Sequence, residues 1–189
     1  MGAAARQFTR VSRWCTIIVS IAVLAPTSSA CSVENAQPMP NCETGGTGNI
    51  GAQSVPTATL VLCLDPLPAG WEADHVRIDQ DGMIVRFDSD RAGDDAAILH
   101  YTATCDIGDA VRSPSEQEGA ERFEDIERIE PGLRAQRYYV FDGGCIWWEF
   151  DFDPGATAAL AIDLGDRLQT ITREALNESV RESFIDVEL

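Results

Sequence analysis

The sequence predicts an α+β domain, an antiparallel β-sheet meander with two C-terminal helices packed on one face. Three observations carry that expectation. From Arg137 to Asp153 the chain holds its densest aromatic run, in which Trp148, Phe150 and Phe152 alternate with Glu149, Asp151 and Asp153; this is the period of a strand with one dry and one wet face. Upstream, short runs of strand formers are separated by Asp, Gly and Pro turn signals. Downstream, Leu160, Leu164, Leu168 and Ile171, then Leu176, Val180 and Phe184, recur at helical spacing.

Taken in order, residues 1–30 form an export signal. Arg6, Arg10 and Arg13 precede an apolar run from Trp14 to Ala25, which is followed by Pro26 and the small residues Thr27-Ser28-Ser29-Ala30. The run is well short of the roughly 20 residues a transmembrane helix needs. Ser28-Ser29-Ala30-Cys31 resembles the lipobox of bacterial lipoproteins, whose cysteine is acylated after cleavage. Ser28 stands where that motif favours Leu, and Ser28 with Ala30 also fits ordinary signal cleavage. Cysteine arithmetic bears on the choice. Of 6 cysteines, Cys15 leaves with the signal, and acylation of Cys31 leaves Cys42, Cys63, Cys105 and Cys145, an even set. The expected mature protein begins at Cys31 and is anchored by lipid to the outer face of the cytoplasmic membrane; plain secretion is the alternative.

Residues 31–56, rich in Gly, Pro, Asn, Ser and Thr, are expected to be a flexible tether. One globular domain should then fill 57–189. Thr59 to Leu64 forms a short buried strand ended by Asp65-Pro66-Leu67-Pro68. Further strands are expected over Trp71 to Ile78, Met83 to Phe87 and Ala96 to Thr104, with Asp81-Gly82 suited to a tight hairpin turn. Residues 106–120 are expected to be an irregular surface loop. Arg122 to Ile129 fits a strand, turned at Glu130-Pro131-Gly132-Leu133 into the aromatic run. Within that run Gly143-Gly144 reads as a bulge that delivers Cys145 to a neighbouring strand. Asp153-Pro154 is a helix start, and Thr172 can cap a second helix.

Charge narrows the function. Arg6, Arg10 and Arg13 are the only charged residues in the first 30, so residues 31–189 carry 11 basic against 31 acidic groups, a net −20. Such a domain repels phosphate backbones and anionic lipids, so no nucleic acid is expected as a partner, and membrane contact is expected only through the N-terminal lipid. All 14 basic residues are arginine, a bias of genomic composition to which no chemistry attaches.

Candidate chemistry is sparse. His75 and His100 have no neighbouring ligand set for zinc. His100 could serve as base to a Cys145 nucleophile only if that thiol were free, and exported cysteines are ordinarily oxidised. Glu149, Asp151 and Asp153 share one strand face and are better explained as its wet side than as glycosidase carboxylates. The turns Asp79 to Gly82 and Asp88 to Asp95 lack the third ligand and closing Glu of a calcium loop. No catalytic residue, metal site or cofactor is expected. Three pairings of four cysteines are possible. Placement at the end of one strand and after the glycine pair favours Cys105 with Cys145, leaving Cys42 with Cys63.

The exported N-terminus, the tether, Asp90-Arg91-Ala92-Gly93, Tyr101-Thr102-Ala103-Thr104-Cys105 and Tyr138-Tyr139-Val140-Phe141-Asp142-Gly143-Gly144-Cys145 together resemble uncharacterised exported proteins and lipoproteins of actinobacteria. The likeness covers about residues 70–185. It implies an envelope location and paired cysteines, and no activity. The expected function is a non-catalytic lipoprotein domain that binds or supports another envelope protein or a cell-wall component, through the acidic sheet face or the 106–120 loop. The alternative is a calcium-binding module or a secreted hydrolase using the Asp-rich turns.

Overall fold

The computed structural model describes residues 47–64 and 66–185. The expected signal segment, Cys31 and Cys42 lie outside the described residues. The fold is mostly β. Its frame is a seven-stranded antiparallel sheet built from β2 (Trp71–Asp79), β3 (Gly82–Ser89), β4 (Gly93–Thr102), β5 (Val111–Ser113), β6 (Glu121–Arg128), β7 (Arg134–Phe141) and β8 (Gly144–Asp151). The strand order is β2-β3-β4-β8-β7-β6-β5. This corrects the single meander: two meanders, β2 to β4 and β5 to β8, are joined where β4 pairs with β8, Leu99 opposite Trp148 and Thr102 opposite Cys145.

The aromatic run is two strands, not one strand with a bulge. Phe141 pairs with Gly144 across the tight turn Asp142-Gly143, whereas β2 turns into β3 at Gln80-Asp81, one residue before the expected pair, with Gly82 opening β3. Gly143 has φ +68, and a Cβ there would lie 1.9 Å from Thr57 O, so the position needs glycine for conformation and for room. The alternation holds within β8: Trp148 and Phe150 are buried while Glu149 and Asp151 lie on the other face. Trp148 is fully enclosed, 5.5 Å from Phe87 and 5.7 Å from Phe150 by ring centroids.

A second sheet of two strands, β1 (Leu60–Leu64) and β9 (Leu168–Thr172), lies against the same core. β1 is buried on both faces. Leu60, Leu62 and Leu64 join the main core, while Val61 joins Ala52 and Leu176 in a second cluster. Tyr101 donates its hydroxyl to Leu60 O at 2.9 Å, and Thr59 N–H donates to Asp142 O at 3.0 Å, so β1 is tied to both meanders.

The helices depart from expectation in three places. The stripe from Leu160 to Ile171 is not one helix: α2 (Ala159–Gly165) starts several residues after Asp153-Pro154 and stops before β9. Leu160 and Leu164 on α2 and Leu168 on β9 still face one core, because a spacing of four suits both periods. The second helix, α3 (Arg173–Ile185), is capped by Thr172 as predicted, with Ala175 N–H donating to its Oγ1 at 3.1 Å. It packs against β1 and β9 rather than the large sheet. Finally, the region read as tether contains α1 (Thr47–Ser54). Arg173 locks its end, donating to Ala52 O at 3.1 Å, Val55 O at 2.7 Å and Ala58 O at 2.6 Å.

Cys105 and Cys145 are bonded, which fastens the segment after β4 to the start of β8. Cys63 is also disulfide-bonded; Cys42, the partner expected for it, lies outside the described residues. Replacing both Cys105 and Cys145 with Ala reopens a loop of separation 40 and is expected to cost about 4 kcal/mol on the chain-entropy account. Calorimetry should show a melting temperature lower by roughly 10 °C; an unchanged midpoint would contradict a stabilising cross-link.

Candidate functional site

The residues singled out from sequence do not converge on a reactive centre. Cys145 is in a disulfide, so the His100 and Cys145 nucleophile pair is unavailable. His100 instead stacks on Trp147 with centroids 3.7 Å apart, and its Nε2 lies 3.6 Å from Glu149 Oε2. These groups belong to a row across the outer sheet face, Arg77, Ile84, His100, Trp147, Tyr138, Phe123 and Arg112, set by the registers of seven strands. The nearby His100 imidazole holds the Glu149 carboxyl below its usual value, against an upward push from burial. Asp151 is paired with Arg134 at 2.6 Å and with Arg128 at 3.6 Å. Asp151 is therefore neutralised by its neighbours, while Asp153 lies beyond the end of β8.

The Asp-rich turns are used internally. Asp79 Oδ1 accepts from Asp81 N–H at 2.9 Å, and Asp88 Oδ1 from Asp95 N–H at 2.7 Å. Asp88, Asp94 and Asp95 belong to β3 and β4 rather than to a long loop. Among the described residues no group of three or more His, Cys, Asp or Glu side chains is placed to hold a metal. His75 is exposed opposite Arg86. Nor is 106–120 wholly irregular. It contains β5, and its end is anchored where Gln117 donates to Leu168 O at 3.0 Å.

A groove of about 490 Å³ opens on the inner face of the large sheet, between α2 and β6. It exists because α2 is short. The helix buries Leu160, Ala161 and Leu164 in the core, while Arg122, Glu124 and Ile126 on the inner face of β6 line the groove. The floor is apolar, built from Leu133, Ala135, Phe150 and Ala161, and Ile126 and Ile162 line it at 54% and 55% exposure. A second hollow, lined by Ile129, Pro131, Ala156 and Ala159, shares Ala158 with the first. Three of the four exposed large hydrophobic residues among those described, Ile126, Ile129 and Ile162, border this pair. Exposed apolar groups clustered in this way mark a binding surface more than do apolar residues scattered singly.

One wall is a chain of charges. Tyr139 donates its hydroxyl to Glu116. Arg122 donates to Glu116 Oε2 at 2.8 Å and Glu124 Oε1 at 2.6 Å, and Arg137 Nε donates to the same Glu124 oxygen at 2.9 Å. Arg137 also lies over the Phe150 ring, 6.0 Å from its centroid, a favourable cation and π-face placement. Gly165 makes room for it: a Cβ there would meet Arg137 Nη1 at 2.6 Å. Burial pushes the Glu116 carboxyl up, but hydrogen bonds from Tyr139 and Arg122 bring it below its usual value. Glu124 is likewise raised by burial and more than offset by Arg122 and Arg137. Burial and the bond to Glu116 push the Tyr139 hydroxyl well above its usual value. Two carboxylates and two guanidinium groups thus balance, and the network contains no group tuned to exchange a proton near neutral pH.

Sequence reasoning missed these residues. The available signal was period two, Arg122 and Glu124 with Ile126 on one face of β6; the antiparallel register that brings Arg137 beside Glu124 is set by tertiary pairing. No protein-family model, curated protein or solved structure matches this chain.

Because Glu116 and Glu124 bind protons less tightly in the folded chain than in the unfolded one, their stabilisation is complete above the ordinary value of 4.5 and is lost as pH falls below it. Melting temperature should hold between about pH 6 and 8 and fall below about pH 4.5. In Arg122→Ala, which removes a shared partner of both carboxylates, the melting temperature should be lower near neutral pH and its fall below about pH 4.5 shallower. An identical acid limb in the variant would contradict the assignment.

Proposed function

We propose that this chain is a non-catalytic binding domain of the cell envelope, exported, acylated at Cys31, and engaging an envelope component through the groove between α2 and β6. The observation that carries the reading is the exposure of Ile126, Ile129 and Ile162 along one apolar-floored channel. An apolar group seated there removes these side chains from water, at roughly 25 cal/mol per Å². The mutually paired ion network supports binding over acid-base chemistry, since its charges shape a wall without offering a proton. The envelope location rests on the short apolar N-terminal run, on Cys31 directly after small residues, and on the resemblance to exported actinobacterial lipoproteins.

A photo-crosslinking amino acid placed at Ile126 in the full chain, expressed in cells, is expected to trap an envelope component. The same group at His75, exposed on β2 at the opposite edge of the sheet, should not. Fractionating the same cells, Cys31→Ser should pass from membrane to medium. Equal labelling at both positions, or none, contradicts the groove; unchanged membrane association of Cys31→Ser contradicts the anchor.

A further inference from the structure

The groove is flanked by an open strand edge. β5 pairs with β6 only from Arg122 to Glu124, because the chain before it turns away, Ala110 N–H closing onto Ile107 O at 3.0 Å. Among the described residues, β6 from Asp125 to Arg128 therefore has β7 on one side and no ladder partner on the other. The edge at β2 is also open, but none of the exposed large hydrophobic residues among those described lies on it. At β6 the edge and the groove share Ile126.

We infer that the open edge of β6 takes an extended segment of a partner protein as an added strand, its branched apolar residues alternating with lysine or arginine. This deepens the groove reading and rests on it. Residues of an added strand point alternately to the two sheet faces. Those pointing inward meet Ile126 and the groove floor. Those pointing outward meet Asp125, with Glu127 beside it at the bulge between Ile126 and Arg128.

The charge of the occupant follows from what is already paired. Arg122, Arg128, Arg134 and Arg137 all have carboxylate partners, whereas among the described residues no ion pair engages Asp125, Glu127, Glu130, Asp163 or Asp166. The rim is left negative and complements a basic strand. A second copy of this chain is a poor occupant. Each copy carries a net −20 over residues 31–189, and pairing β6 edges would bring Asp125 and Glu127 against like charge.

The test titrates the mature chain, residues 31–189, with an N-acetylated, C-amidated octapeptide of alternating Lys and Val, followed by calorimetry at two salt concentrations. Binding is expected, weaker in higher salt. A copy of the peptide N-methylated on alternate residues, which loses main-chain donors, should bind about tenfold more weakly, the effect of losing one or two hydrogen bonds. Replacing its Lys with Glu should abolish binding. Ile126→Ser, at a half-exposed position that keeps the fold, should weaken the parent peptide by about tenfold. Equal affinity for the N-methylated peptide overturns strand addition. Binding unchanged by Ile126→Ser reduces the effect to general charge attraction and overturns it too. Failure of the Lys-Val peptide while the crosslink at Ile126 still forms overturns this inference and leaves the groove reading intact. Sedimentation showing a dimer dissociated by Asp125→Lys would replace the basic partner with a second copy.

Discussion

Pairing of β4 with β8 is the constraint on which the rest of this structure depends. Each meander is built from hairpins between consecutive strands, whereas this ladder joins segments far apart in sequence and turns two small sheets into one. It also fixes faces. With Leu99 opposite Trp148 and Ala97 opposite Phe150, a slip of one residue would turn the buried aromatic residues of β8 to the wet side. The core supplies the register: Trp148, fully buried against Phe87 and Phe150, fits one alignment. The bond between Cys105 and Cys145 sits at the end of that ladder and limits the freedom of the unfolded chain at the longest-range pairing within the large sheet.

The groove is a consequence of this frame. With β8 in the middle, β7, β6 and β5 extend away from the main core, and a helix as short as α2 cannot cover them all. The inner face of β6 is left with water on one side and the core on the other. An apolar side chain there stays exposed, as Ile126 does, while charged ones must find partners to lie half-buried. Arg122 and Arg137 share Glu124, and Arg122 also reaches Glu116. This is why a part of the sheet that would otherwise be a weak margin is a shaped surface with a neutral wall and an acidic rim.

Much of the frame was legible in the sequence. Five of the expected strands stand near their expected places, and Thr172 caps α3, because alternation and capping are local. The departures have local causes too. Asp142-Gly143 carries the hairpin signal, but the second glycine beside it imitates a bulge, and Gly144 has its own reason to be small: a Cβ there would meet the Phe141 ring at 2.6 Å and Ala58 Cβ at 2.8 Å. Leu160, Leu164 and Leu168 mimic one helix because two different elements turn them toward one core. α1 was hidden among glycines, its burial of Ala52 supplied by Val61 and Leu176 from elsewhere in the chain. The pairing of Cys105 with Cys145 was readable from placement. The groove was not, since it is made of what remains uncovered after α2 ends, and no pattern along one segment records that.

Amide hydrogen exchange on the purified chain, with and without added cell-envelope extract, tests the central claim most directly. The account predicts that Asp125 to Arg128 and the α2 segment from Ala158 to Asp166 exchange more slowly with the extract, while the outer-face segment from Ala103 to Ala110 is unchanged. Protection confined to Ala103 to Ala110, with β6 and α2 exchanging alike in both states, would contradict it.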